Sequence, residues 1–236
     1  MKINEYFLAL NKKTQCIFSE VLNRETELGR VHDYSNKLYE ISKHFDNNDE
    51  RRMLTALCSQ LESSCLTLTF GMYRQALASL RLSFELGLGE IYFSANKLEY
   101  KEWLNGTGDI KWSRLIDEDN GVLSLRFARA FNPCIKDHVL DFRNRSISVY
   151  RILSEYVHGN NDTWKECGLT LDRNQMLEDK YFQCFKEVCD ILLFTLFCRY
   201  SSDFNELQRD DLNNVFDSLN HIAPIREYFG GPKDIK

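Results

Sequence analysis

Proline is scarce in this chain, and its scarcity predicts the fold class. Only three prolines occur in 236 residues, at Pro133, Pro224 and Pro232, so no proline breaks a helix before Pro133. Pairs such as Gly–Pro and Asn–Gly, which mark tight turns, are also few. An all-β fold needs a turn signal roughly every 8–12 residues. The sequence therefore predicts an all-α fold.

Long hydrophobic runs are missing as well. The most apolar stretch, 188–198, is about half as long as a membrane-spanning helix and contains Asp190. Residues 1–5 do not resemble the apolar core of a signal peptide, because Lys2 and Glu5 are charged. We therefore expect a cytoplasmic protein without a membrane segment, in which 188–198 belongs to a core helix.

An excess of positive charge is also absent. The formal net charge is -5, from 30 lysines and arginines against 35 aspartates and glutamates. A protein whose main task is to wrap nucleic acid is usually basic. Any contact of this chain with nucleic acid must therefore be confined to a local patch.

Motifs that bind metals or cofactors are not found. The eight cysteines are scattered along the chain. Cys58 and Cys65, seven residues apart on one face of a predicted helix, are typical of small core residues. Cys184, Cys189 and Cys198 do not have the spacing of zinc ligands. No P-loop, serine-hydrolase elbow or His-Glu-x-x-His pair occurs, so we expect neither a metal nor a cofactor.

What is present is a series of helical patterns separated by loop signals. The predicted helical segments are 3–45 (one or two helices), 50–96 (interrupted near Gly71), 136–158, 173–200 and 203–229 (short helices). Two loop signals, 105–109 and 117–121, lie between the second and third segments. We therefore predict one helical domain, with a core bundle over about 48–96 and 136–202 and an insertion of short helices and loops over 97–135.

The helix predicted over 136–158 carries the best functional clue. A helical wheel divides its last part into an apolar face and a polar face. The apolar face holds Val149, Tyr150, Ile152, Leu153, Tyr156 and Val157, and the polar face holds Ser148, Arg151, Ser154, Glu155 and His158. Arg151 and His158 are seven residues apart, so they align to within about 20° and lie about 10 Å apart along the axis. An arginine that grips a phosphate and a histidine that transfers a proton are what cleavage of a phosphodiester needs.

The same pair has a purely structural interpretation. A histidine in the last turn of a helix offsets the helix dipole when it is protonated, and an arginine on a polar face needs no functional reason. Spacing alone does not separate the two interpretations.

The segment from Tyr150 to Gly159 resembles the R-x(4–6)-H signature of HEPN domains, α-helical bundles of prokaryotic toxins and defence systems. The resemblance covers about 140–200, with the helix over about 70–95 as its expected partner. It implies a metal-independent ribonuclease that acts as a homodimer in a toxin or anti-phage system. Arg151 would then hold the scissile phosphate, and His158 would act as general base or acid while the RNA 2′-hydroxyl attacks.

One position departs from this signature. Active HEPN members usually have Asn, Asp or His directly after the arginine, where this chain has Ile152. Members with weakened motifs are often inactive and bind partners or dimerise. The alternative is therefore a catalytically inactive HEPN-like module that docks a partner protein.

A second polar group is predicted on the helix over 70–95. Gln75, Ser79, Ser83 and Glu90 mark its polar face, whereas Arg74, Arg81 and Glu85 lie beside apolar residues. Arg81 and Glu85 are four residues apart and are expected to pair. The pair either fixes how two helices cross or supports the site at His158, together with Ser154 and Glu155.

The region 126–151 is locally basic. Arg143 and Arg145 are its candidate RNA-binding residues, although Asp137 and Asp141 also fit a solvated, charge-balanced helix face. The three tryptophans, Trp103, Trp112 and Trp164, are expected to pack the insertion and a loop rather than to stack on bases.

Overall fold

The computed structural model describes residues 2–158, 163 and 171–233. Within these ranges eleven α-helices have defined bounds, and no strand occurs. They are α1 Ile3–Val21, α2 Glu25–Lys43, α3 Asn48–Thr69, α4 Tyr73–Ala95, α5 Lys97–Leu104, α6 Trp112–Leu115, α7 Leu125–Phe131, α8 Val139–His158, α9 Gln175–Tyr200, α10 Glu206–Leu212 and α11 Ala223–Tyr228. Short 3₁₀ helices span Pro133–His138 and Asp217–Leu219. The predicted all-α class is confirmed.

Helix α9 runs through the core. Every side chain from 188 to 198 is buried, including that of Asp190. Its carboxylate is satisfied, because the Tyr34 hydroxyl on α2 donates to one oxygen over 2.7 Å and the Lys186 ammonium to the other over 2.6 Å. Among the residues that the structure describes, no helix has both the length and the apolar character to cross a membrane.

The helices α2, α4 and α8 pack around α9, and α3 lies between α2 and α4. Helix α2 was outside the bundle predicted over 48–96 and 136–202. It nevertheless buries Val31, Leu38 and Ile41 in the common core. The bundle therefore has five long helices, and α1 is attached to it mainly through its C-terminal half, where Ile17 and Val21 are buried.

Gly71 separates α3 from α4, at the interruption that the sequence predicted. Its φ of +76° lies in the left-handed region that residues with a Cβ atom rarely adopt. A Cβ atom at this position would also lie 2.8 Å from Cδ1 of Ile17 on α1. The glycine thus permits both the chain reversal and the contact with α1.

Helix α4 is buried on more sides than its sequence pattern predicts. Of the residues assigned to its polar face, Ser83 and Glu90 are buried, so this part of the prediction was wrong. The cause is that α3, α8, α9 and the insertion all pack against α4. Gly87 allows the closest approach, because a Cβ atom there would lie 2.5 Å from Leu192 of α9.

The insertion over 97–135 forms α5, α6 and α7 with their connecting loops. Its two tryptophans pack against the bundle: the Trp103 ring lies 5.5 Å from that of Phe93, and the Trp112 ring 5.4 Å from that of Phe84. Both agree with the predicted packing role. Trp164 lies outside the described residues.

The cysteines expected in the core are buried: Cys58, Cys65, Cys184, Cys189 and Cys198. Burial raises the pKa of the Cys58 thiol to about 12 and has the same effect on Cys65. Such thiols stay protonated and unreactive at neutral pH. In the ranges that the structure describes, no three His, Cys, Asp or Glu side chains are placed to share a metal ion.

Candidate functional site

Helix α8 presents one apolar face to the core and leaves the opposite face in solvent. Val149, Leu153 and Tyr156 are buried, as the wheel predicted. Phe142, near the start of the helix, stacks on Phe194 of α9 with ring centroids 3.7 Å apart. This packing fixes the rotation of α8 about its axis, and with it the direction in which the polar residues point.

Arg151 and His158 both lie on the solvent-facing side of α8, where their side chains are exposed. Two helical turns separate them, which corresponds to about 10 Å along the axis. The side chain of Arg151 makes no hydrogen bond or ion pair with any residue that the structure describes. The helix end predicted at 159–161 lies outside the described residues.

His158 is in contact with Arg81, a residue of the neighbouring helix α4. Nη1 of Arg81 lies 3.3 Å from Nε2 of His158. The contact brings the guanidinium group of Arg81 to the imidazole, whereas Arg151 lies two turns away on the same helix. Of the residues proposed to support His158, Arg81 is the one that touches it directly.

Arg81 belongs to a network that joins α4 to α8. Its Nη2 donates to the Tyr150 hydroxyl over 2.6 Å and to Glu85 Oε1 over 3.2 Å. The Tyr150 hydroxyl in turn donates to Glu85 Oε1 over 2.6 Å. Burial and the hydrogen bond to Glu85 raise the pKa of Tyr150. The Arg81–Glu85 pair expected from its spacing is therefore present, and Tyr150 extends it to the helix that carries His158.

The insertion supports this network through Trp112. The indole of Trp112 stacks on the Tyr150 ring, with centroids 3.6 Å apart and planes 2° apart. The guanidinium carbon Cζ of Arg81 lies 4.7 Å from the centroid of the Tyr150 ring. Tyr150 is thus held between a tryptophan and an arginine. The wheel assigned it to the apolar face and did not identify its polar role.

Arg74, two turns before Arg81 on α4, binds the C-terminal end of α8. Its Nη1 donates to the backbone carbonyl of Tyr156 over 2.8 Å, and its Nη2 to Thr163 Oγ1 over 3.2 Å. Arg74 and Arg81 are seven residues apart on α4, so one side of α4 binds α8 at two levels. The signal in the sequence was the presence of both arginines among apolar residues of this helix.

Ser154 and Glu155 lie on the same helix as His158, but in the described part of the chain no side-chain hydrogen bond or ion pair joins them to Arg81 or His158. The Ser154 hydroxyl donates to the carbonyl of Tyr150 over 2.7 Å, within its own helix. The backbone carbonyl of Glu155 accepts from Thr163 Oγ1 over 3.2 Å. The supporting role proposed for these two residues stays a prediction.

Arg143 and Arg145 are engaged inside the chain. Arg145 forms a two-pronged ion pair with Glu187 of α9, at 2.6 and 3.1 Å, and this hydrogen bonding raises its pKa. Nε of Arg143 donates to the carbonyl of Ile116 in the insertion over 3.1 Å. Both guanidinium groups therefore connect elements of the fold, which leaves them less available for RNA than their sequence pattern suggested.

Two residues that the wheel placed on the apolar face are exposed. Ile152 is 39% exposed and Val157 is 44% exposed. They lie on opposite edges of the buried stripe of α8. Ile152, Glu155 and Cys184 border a groove of about 530 Å³ between α8 and α9.

Comparison of the chain with models of protein families, with curated proteins and with solved structures gives no match. The resemblance of α8 to the HEPN signature therefore stays a prediction from its residues.

Proposed function

We propose that the chain is a HEPN-like effector that cleaves RNA without a metal ion, in the cytoplasm and as part of a toxin or anti-phage defence system. The observation that supports this most is the arrangement around His158. An exposed imidazole lies 3.3 Å from the Arg81 guanidinium, and the exposed Arg151 shares its helix side. These groups supply the two functions that the reaction needs, a cation for the phosphate and a proton carrier.

The proposed reaction is an internal transfer within the RNA. The 2′-oxygen forms a bond to phosphorus while the bond from phosphorus to the 5′-oxygen breaks. A base accepts the proton of the 2′-hydroxyl, and an acid gives a proton to the departing 5′-oxygen. His158 serves in one of these roles, and Arg151 binds the phosphate oxygens that gain charge. The products are a 2′,3′-cyclic phosphate and a free 5′-hydroxyl.

A homodimer would complete the site. Leu140 and Ile147 lie on the same side of α8 as Arg151 and His158, at intervals of seven residues, and are 49% and 40% exposed. We call the exposed side of α8 that carries Arg151 and His158 its ridge. Burial of Leu140 and Ile147 against a second copy would place the ridges of the two copies beside one another. One imidazole would then act as base and the other as acid.

The test is incubation of the purified protein with single-stranded RNA in excess chelator. We expect cleavage that leaves cyclic phosphate ends, and its loss in His158→Ala and in Arg151→Met. His221→Ala is the matched control, because His221 is also an exposed histidine but lies far along the chain, just before α11. Equal cleavage by His158→Ala and the wild type would overturn the proposal.

The second candidate is an inactive HEPN-like module that docks a partner protein. The observation that favours it is Ile152, an exposed apolar residue beside the groove between α8 and α9 where active relatives have a polar one. The net charge of -5 points the same way. In this case the protein stays inactive on RNA, and Ile152→Asp abolishes binding of the partner without loss of stability.

A further inference from the structure

The contact between Arg81 and His158 restricts the protonation of the imidazole. A guanidinium group only donates hydrogen bonds, so Nε2 of His158 must accept if the 3.3 Å contact is a hydrogen bond. An imidazole that accepts at Nε2 is neutral and carries its proton on Nδ1. The free imidazole of histidine favours the opposite tautomer, with the proton on Nε2. Such a hydrogen bond therefore selects the less common form.

Arg81 is held in place to make this selection. Nη2 is fixed by Tyr150 and Glu85, and the Tyr150 ring is clamped by Trp112. Nη1, the atom that faces His158, lies against an exposed residue. Nη2 thus anchors Arg81, and Nη1 contacts His158.

We propose that Arg81 is a positioning residue that holds the neutral form of His158 with its proton on Nδ1, and that it frees Nε2 when a phosphate group binds to Nη1. The second half rests on the proposed function. A phosphate oxygen is a stronger acceptor for a guanidinium than a neutral imidazole is, because both partners are charged. When Nη1 turns to the phosphate, Nε2 becomes free to accept the proton of the 2′-hydroxyl. Binding of the substrate and exposure of the base are then one event.

The first test reads the tautomer directly by ¹⁵N NMR of the histidine side chains at a pH where the imidazole is neutral. The His158 signal is identified by its loss in His158→Ala. We expect a proton on Nδ1 in the wild type and a shift of the population toward Nε2 in Arg81→Met, which has no donor. Arg81→Lys, which keeps one, should restore part of the wild-type distribution. A wild-type His158 with its proton mainly on Nε2 would overturn the proposal.

A second variant guards against loss of folding in Arg81→Met. Tyr150→Phe keeps the ring that stacks on Trp112 but removes the hydroxyl that holds Nη2. We expect it to loosen Arg81 and to move the His158 tautomer in the same direction by a smaller amount. An unchanged tautomer in Tyr150→Phe, with the helical circular dichroism of the wild type, would contradict the anchoring role.

The second test adds a ligand that cannot be cleaved, a single-stranded RNA with 2′-O-methyl groups. We expect the His158 signals to move away from the Nδ1 form on titration, and not to move in Arg81→Met. A wild-type tautomer that stays fixed while the RNA is bound would refute the exchange. This measurement is independent of cleavage. If His158 behaves as expected but unmodified RNA stays intact, the proposed function fails and the positioning role of Arg81 stands.

Discussion

Tyr200 and Glu90 share a hydrogen bond in the interior, with 3.0 Å between the Tyr200 hydroxyl and Glu90 Oε1. The same hydroxyl lies 3.2 Å from Glu50 Oε2. A phenol has one proton, so it cannot make two full hydrogen bonds to these carboxyl groups at once. Burial raises the pKa of Glu90 to about 8, which makes Glu90 the group that keeps a proton.

This buried carboxyl predicts a stability that depends on pH. The folded protein holds a proton on Glu90 that the unfolded chain releases above its ordinary pKa of 4.5. The contribution of Glu90 is therefore fully present below 4.5 and is lost as the pH rises to about 8. Glu90→Gln has no proton to lose. As the pH rises from about 5 to about 9, we expect the free energy of unfolding of Glu90→Gln to increase relative to that of the wild type by more than about 1 kcal/mol.

Urea denaturation at both pH values measures the difference. Glu206→Gln is the control, because it removes the same charge at an exposed position on α10. The prediction fails if Glu90→Gln and Glu206→Gln change with pH to the same extent.

The proposed function predicts that Arg145 and Arg151 of α8 have different roles, structural for Arg145 and functional for Arg151. Arg145→Met removes a two-pronged pair with Glu187 and the contact of its guanidinium with the Phe142 ring, 4.4 Å from the centroid. Because the pair is partly exposed, we expect a loss of about 1 kcal/mol in stability and little change in RNA cleavage. Arg151→Met should change stability by less than about 0.5 kcal/mol and reduce the rate of cleavage by about 100-fold or more.

Thermal unfolding and single-turnover cleavage on the same samples separate the two effects. Arg129→Met serves as a further control, since Arg129 is exposed on α7 and lies outside α8. Loss of cleavage in Arg145→Met at unchanged stability would show that Arg145 binds RNA after all.

Trp112 is expected to stabilise both the insertion and the site. Trp112→Ala removes the ring that covers Tyr150 and Phe84. We expect a loss of roughly 3 kcal/mol in the free energy of unfolding, at the lower end for a large aromatic residue because Trp112 is half-buried. Trp112→Phe keeps an aromatic ring in place and should cost less than half of that. Urea denaturation followed by circular dichroism distinguishes them, and equal losses would argue against stacking as the cause.

The helices and part of the site could be predicted from the sequence, and single residues show the physical reason. Arg151 and His158 could be placed on one side of α8 because helix geometry alone fixes residues seven apart. Arg81 and Glu85 could be paired for the same reason. The residue of α8 that binds Arg81 could not be predicted. A helical wheel shows which face a residue lies on, but not which neighbouring helix covers that face. Tyr150 was therefore missed.

The exposure of Glu90 and that of Ile152 could not be predicted from the pattern along one helix. Glu90 was assigned to a polar face, but its burial depends on how many helices surround α4, a property of the whole fold. Ile152 was assigned to an apolar face and is exposed, because it borders a groove between α8 and α9. Periodicity measures the pattern along one helix and does not record where its neighbours lie.

The proposed homodimer predicts that the outer side of α8 is an interface. Ile147→Asp places a charge among the exposed apolar residues of this side, and a charge buried there without a partner costs several kcal/mol. We therefore expect the variant to be monomeric, as stable as the wild-type subunit, and at least about 100-fold slower in RNA cleavage, because each site loses the second copy of Arg151 and His158. Leu207→Asp is the matched control, since Leu207 is 77% exposed on α10 and the substitution adds the same charge. Light scattering after size exclusion gives the oligomeric state. A wild-type protein that is monomeric while it cleaves RNA, or an Ile147→Asp variant that remains dimeric, would show that the two ridges do not meet along α8.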